Sequence, residues 1–119
     1  MKYSPRFGGG FTNHVLVMRY ADAHLMKAEA MMRSGGDPTA MVNELRVLRG
    51  AAPLGTVTES ELLDERGREL YTEGWRRNDM IRFGQYLRNG QLKADTDAKR
   101  LLFPIPLAPS TQQVTWWPS

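Results

Sequence analysis

The sequence runs to 119 residues, 41% of them apolar, with 16 basic and 13 acidic side chains and a net charge of +3. That length suits one domain able to bury a core of its own. The absence of cysteine removes disulfides and thiolate metal sites, and the scattered positive charge gives little support to a nucleic-acid partner.

No apolar run approaches the ~18 residues that a membrane helix needs, and no charged-then-apolar signal segment follows Met1. Residues 1–12 contain Pro5 and Gly8-Gly9-Gly10 and read as an irregular lead-in, with Asn13 placed to cap a first helix. Met18, Ala21, Leu25, Ala28 and Met32 then alternate by three and four, an amphipathic stripe that Gly35-Gly36 closes. Ala21, Ala28 and Ala30 are small enough to let a neighbouring helix come close. Asp37-Pro38 restarts the chain with an N-cap and a proline at the first helical position. Met41, Leu45 and Leu48 form the next inward stripe, ending near Gly50. A helix, a short turn and a second helix make an antiparallel hairpin. Residues 51–57 are a loop broken by Pro53 and Gly55.

The stretch from Thr58 to Gly84 organises the rest. Thr58 and Glu61 have the spacing of a capping box, in which each side chain bonds the other residue's backbone N–H. Leu63, Gly67, Leu70 and Gly74 share one helical face. A helical glycine costs about 1 kcal/mol against alanine, so Gly67 and Gly74 predict the close approach of another backbone. Trp75, beside Gly74, reads as core. A bend near Gly74 precedes a shorter helix that turns Met80, Ile81, Gly84 and Leu87 inward. The other faces are charged. Glu65 with Arg68, Arg66 with Glu69, Glu73 with Arg76 or Arg77, and Asp79 with Arg82 lie three or four residues apart, within reach on a helix. All the basic residues of this stretch are arginines, whose planar fork suits partly buried carboxylates better than an ammonium does. The expectation is an ion-pair lattice of Glu65, Arg66, Arg68, Glu69, Glu73, Arg76, Arg77, Asp79 and Arg82 that ties one helix to its neighbours.

Residues 89–100 are polar and turn-rich. Leu101 to Pro106 cannot be helical, because its alternating prolines enforce extended geometry. Such a segment most simply lies across the helices and covers them. The fold class expected is all-α: two consecutive tetratricopeptide-like helical hairpins with an extended C-terminal segment packed on them.

Four blocks carry a family resemblance: RYADAHLMKAEAMMRSGG (19–36), ELRVLRGAA (44–52), LLDERGRELYTEGWRRNDMIRFG (62–84) and LFPIP (102–106). In order and spacing they resemble the C-terminal part of the SusD/RagB family. Arg19, Tyr20, Ala21, Asp22, Glu29, Arg46, Arg49, Glu65, Arg66, Arg68, Glu69, Glu73, Gly74, Arg77, Asp79, Arg82 and Phe103 to Pro106 fall on its pattern. The resemblance implies a non-enzymatic outer-membrane surface lipoprotein. Such a protein binds glycans or other nutrients and works with a SusC-like TonB-dependent transporter, without cofactor or metal. Family members run to several hundred residues and begin with a lipidated cysteine. On that comparison residues 1–119 are one helical domain, the C-terminal scaffold portion of a longer protein whose lipid anchor and most ligand contacts lie elsewhere. The last residues, 107–119, depart from the family's usual ending and contain two tryptophans.

Paired carboxylates among arginines are also what acid–base chemistry on a glycan would need. The helical spacing favours structural ion pairing instead. His14 and His24, ten residues apart, do not have metal-ligand spacing. Ser34, Ser60, Ser110 and Ser119 sit in no nucleophile-elbow context. Gly8 to Gly10 lacks the lysine and the strand–turn–helix setting of a phosphate loop. Trp116 and Trp117 are the candidate ligand-binding residues, since an exposed indole face stacks on a sugar ring, although packing is the commoner use of tryptophan. A free-standing tetratricopeptide-like interaction module and a carboxylate-dependent glycan hydrolase remain the alternatives.

Overall fold

The computed structural model describes residues 17–88 and 97–103, and its contacts divide the chain into two units, 1–85 and 86–119. The described part of the first unit holds four helices: α1 (Tyr20–Arg33), α2 (Thr39–Leu48), α3 (Glu59–Glu69) and α4 (Arg76–Arg82). The described part of the second holds one short 3-10 turn, Ala98–Leu101, in which Asp97 accepts from the Lys99 N–H at 2.9 Å. Among the described residues there is no strand, and the all-α expectation holds.

Local signals set most helix ends. Thr58 and Glu61 form the capping box that their spacing predicts: the Glu61 N–H donates to Thr58 Oγ1 at 3.3 Å and the Thr58 N–H donates to Glu61 Oε2 at 2.7 Å. Before α2, Asp37 Oδ1 accepts from the Thr39 N–H at 2.9 Å, with Pro38 already in the right-handed helical region. At the end of α1 the Gly35 N–H reaches Met32 O and the Gly36 N–H reaches Met31 O, with Gly35 at φ +85°. This is a Schellman closure, and it recurs at Gly50 after α2 and at Gly84 after α4. Gly84 is therefore an exposed helix stop and not an inward-facing position.

α1 packs against both α2 and α3, and α4 packs against α3. The buried cluster joins Ala21, Leu25 and Ala28 of α1, Val42 and Leu45 of α2, Leu62 and Leu63 of α3, with Val57 and Phe83. Asn43 Nδ2 donates to the Leu54 carbonyl at 2.8 Å and Asn43 Oδ1 accepts from the Leu54 N–H at 2.7 Å, which holds the loop after α2 against that helix. A third hydrogen bond, from the Val57 N–H to Thr39 Oγ1, pins its far end.

Several expected positions differ. Met18 is exposed and precedes α1, which Arg19 caps; Asn13 lies outside the described residues. Val42 takes the buried place in α2 that the stripe assigned to Leu48, which is exposed. In α4 the inward residues are Asp79 and the following Phe83, while Met80, Ile81 and Leu87 are half-buried. A seven-residue helix offers too few turns for a stripe to fix its phase. Trp75 is half-buried and stands outside the core cluster.

The glycine expectation also needs correction. No backbone approaches Gly67; the Arg76 guanidinium does, and a Cβ there would lie 2.6 Å from Arg76 Nη1. Gly74 has open space around it and is needed for its φ of +83°. Phe103 is exposed, and Pro104 to Pro106, whose packing on the helices was expected, lie outside the described residues.

Candidate functional site

The helices meet around charge as much as around carbon. Arg66, on the inner face of α3, is 1% exposed and forks between two helices. Its Nη2 donates to Asp22 Oδ1 of α1 at 3.0 Å and its Nε to Asp79 Oδ2 of α4 at 2.9 Å. Both carboxylates are as deeply buried as the arginine. The chain of pairs continues outward. Arg82 donates to Asp79 Oδ1 at 2.9 Å and grips Glu29 through two bonds of 2.8 and 2.7 Å. Arg33 completes Glu29 at 2.9 Å. The Arg33 and Arg82 guanidinia lie 5.2 and 5.4 Å from the centre of the Phe83 ring, within cation–π range. Three carboxylates and three guanidinia thus alternate from the core to the surface.

A second cluster closes the other end of α1. Arg19 donates through Nε to both Glu73 oxygens at 2.9 Å, through Nη1 to Glu69 Oε1 at 2.5 Å, and through Nη2 to the Glu69 carbonyl. Arg49 binds the same Glu69 carboxylate with bonds of 3.1 and 2.9 Å. A third cluster centres on Glu65, which accepts from Arg46 at 2.5 Å and from Arg68 at 3.1 and 2.6 Å. Arg76 lies over Gly67, gives Nη1 to the Leu63 carbonyl at 2.7 Å and faces Asp64 at 3.4 Å.

The electrostatics follow from these bonds. Burial pushes the Glu29 carboxyl upward, but Arg82 and Arg33 outweigh it and hold the group below its ordinary range. Glu69 behaves alike, with Arg49 and Arg19 overcoming burial. Glu29, ahead of the opposing burial, and Asp79 keep the Arg82 guanidinium charged far above any accessible pH. Two atoms of the central pair, Asp22 Oδ2 and Arg66 Nη1, are buried with no hydrogen-bond partner. Each such group costs about 1–3 kcal/mol.

Of the residues singled out by spacing, Glu65–Arg68 and Asp79–Arg82 are local pairs. The others reach across helices: Arg66 to Asp22 and Asp79, Glu69 to Arg19 and Arg49, Glu73 to Arg19. Arg77 is half-buried and lines a surface hollow. Asp22, Glu29, Arg19, Arg33, Arg46 and Arg49 were missing from the lattice read by spacing. All of them sit in the family blocks and all but Arg33 fall on the family pattern, which is the available signal. Trp116, Trp117, His14, Ser110 and Ser119 lie outside the described residues. His24 bonds the Met41 carbonyl through Nε2 at 2.8 Å. Among the described residues no group of three or more His, Asp or Glu is placed to hold a metal, and no helix is long and apolar enough to cross a membrane.

Surface hollows open among the described residues of this unit. One of about 550 Å³ lies between α2 and α3 among Arg46, Arg49, Glu65 and Glu69. One of about 330 Å³ lies beside Tyr20, His24, Leu45 and Leu48. One of about 930 Å³ lies at the α3–α4 turn beside Tyr71, Thr72 and Arg77.

Comparison with known proteins places this lattice in context. The model of the SusD family matches residues 5–101. The starch-binding protein SusD of Bacteroides thetaiotaomicron is 48% identical over 77 residues, covering 64% of this chain and 14% of that protein. The chain therefore spans a small fraction of the length of the curated relative it matches.

Proposed function

The chain belongs to the SusD family, and from that membership we propose that it is a helical scaffold portion of a non-enzymatic glycan-binding protein serving nutrient uptake. In this reading it works at the outer-membrane surface beside a SusC-like TonB-dependent transporter, and a lipid anchor outside residues 1–119 holds it there. The similarity to a starch-binding protein supports an oligosaccharide as the ligand class. The lattice serves as the joint between helices and takes no part in chemistry.

One observation carries the non-enzymatic part. Every buried carboxylate among the described residues, from Asp22 to Asp79, bonds at least one arginine. Glycoside hydrolysis needs a carboxylic acid whose pKa is raised, set against an ionised partner. Here Glu29 and Glu69 are pushed the opposite way. The test pairs two measurements on the same protein with maltoheptaose: calorimetric titration for binding and a reducing-end assay for cleavage. Binding without new reducing ends is expected. Cleavage that disappears in Glu65→Gln or Glu69→Gln would overturn the scaffold reading of those carboxylates.

A further inference from the structure

The turn between α3 and α4 is built at a cost that a simple reversal does not require. Thr72, a β-branched residue, has φ +67°, a conformation that such side chains rarely adopt. Its hydroxyl donates to the Tyr71 carbonyl at 2.6 Å. Strain of this kind persists where the surroundings impose it, and it concentrates at ligand sites. The same turn leaves Tyr71 71% exposed at the edge of the 930 Å³ hollow.

The walls of that hollow are unequal in charge. Arg68, Arg76 and Arg77 line it against the single carboxylate of Asp64, and Gly67 and Gly74 contribute no side chain. Arg68 spends Nε and Nη2 on Glu65, two of its three guanidinium nitrogens. Arg76 gives Nη1 to the Leu63 carbonyl at 2.7 Å, and its Nη2 contact with Asp64 is long, at 3.4 Å, and exposed on both sides. The other hollows differ. Between α2 and α3 the arginines meet Glu61, Asp64, Glu65 and Glu69. Beside Tyr20, Arg19 and Arg49 are already bound to Glu69.

We propose that the hollow at Tyr71 is a subsite for an anionic oligosaccharide, one bearing uronate or sulfate groups. The proposal rests on the glycan-binding reading above and narrows its ligand class. The Tyr71 ring offers an apolar face with a polar tip, suited to the C–H face of a pyranose. The guanidinium forks match planar carboxylate or sulfate oxygens. A few convergent polar groups around an open concavity are what fix a small ligand's orientation. Thr72, held in its strained conformation, sets the direction in which the chain presents Tyr71. An acidic peptide would engage the arginines and leave Tyr71 without a role.

The experiment titrates the whole chain with hexagalacturonate, maltohexaose and a hexaglutamate peptide, with amide NMR shifts to locate binding. Hexagalacturonate is expected to bind at the Tyr71–Gly74 amides, about tenfold tighter than maltohexaose, and to weaken as salt is raised. Tyr71→Ala and Arg68→Gln should each weaken it about tenfold with unchanged melting curves, and Tyr71→Phe should restore it. Hexagalacturonate binding that ignores Tyr71→Ala, or is matched by hexaglutamate, would overturn the subsite. Maltohexaose binding that survives Tyr71→Ala and equals hexagalacturonate overturns the subsite while leaving the glycan-binding reading intact. No shift with either sugar at millimolar concentration overturns the subsite.

Discussion

Replacing Arg66 by methionine is the sharpest test of what holds these helices together. Methionine keeps most of the volume and removes the cation between Asp22 and Asp79. Asp79 retains Arg82 at 2.9 Å, whereas Asp22 loses the guanidinium bonded to its Oδ1 at 3.0 Å while remaining 1% exposed. Removing one partner of a buried pair costs about 3–5 kcal/mol, a large share of the ~5–15 kcal/mol that holds a typical domain folded. At a few degrees per kcal/mol for this size, the melting temperature should fall by about 10–20 °C. Arg68→Met is the control, because its side chain is 54% exposed and such pairs contribute about 0–1 kcal/mol. Removing both charges in Asp22→Leu/Arg66→Met also removes the two orphaned atoms, and should recover about 2 kcal/mol over the single variant. Urea unfolding followed by circular dichroism at neutral pH measures all three. If Arg66→Met is as stable as Arg68→Met, the buried pair is not a joint and the reasoning fails.

Other consequences are as direct. Glu29 and Glu69 have lowered folded-state pKa values, so their contribution is complete above the ordinary carboxylate value of ~4.3 and disappears as pH falls through the lowered one. Urea midpoints should stay flat from neutral pH to about pH 5 and drop below about pH 4; a midpoint unchanged at about pH 3 would contradict this. Thr58→Ala breaks the capping box and should cost about 1 kcal/mol, read as a melting shift of a few degrees. Gly67→Ala gains about 1 kcal/mol of helix propensity but displaces Arg76 from the Leu63 carbonyl, so it should be near neutral in the parent. In an Arg76→Ala background the same change should stabilise by about 1 kcal/mol, and equal effects in both backgrounds would exclude the close contact.

Much of the helical layout was legible because its causes are local. Thr58 with Glu61, Asp37 before Pro38, and Gly35 and Gly50 past their helices each mark an end through contacts within four residues or so. The packing was legible only in part. Ala21, Leu25 and Ala28 follow a stripe over a full fourteen-residue helix, whereas α4 is too short for periodicity to separate Phe83 from Met80. The charged lattice shows the same division. Glu65–Arg68 and Asp79–Arg82 announce themselves by spacing, while Asp22 and Arg66 are 44 residues apart. That separation is bridged by how α1 crosses α3, which no pattern within either helix records. Gly67 shows a different limit: its spacing marks a close approach, and only the folded packing shows that a guanidinium fills the gap.

The brevity of α4 has a further consequence. Seven residues are about half the length at which an isolated helix begins to hold in water. Its anchors, Asp79 and Arg82, clasp Arg66 and Glu29 on earlier helices. Order near residue 80 is thus on loan from residues synthesised some fifty positions earlier. Amide exchange across Arg76–Arg82 should report the opening of α1 rather than local fraying, and a protease that nicks the Gly35–Asp37 turn should loosen a segment it never touches.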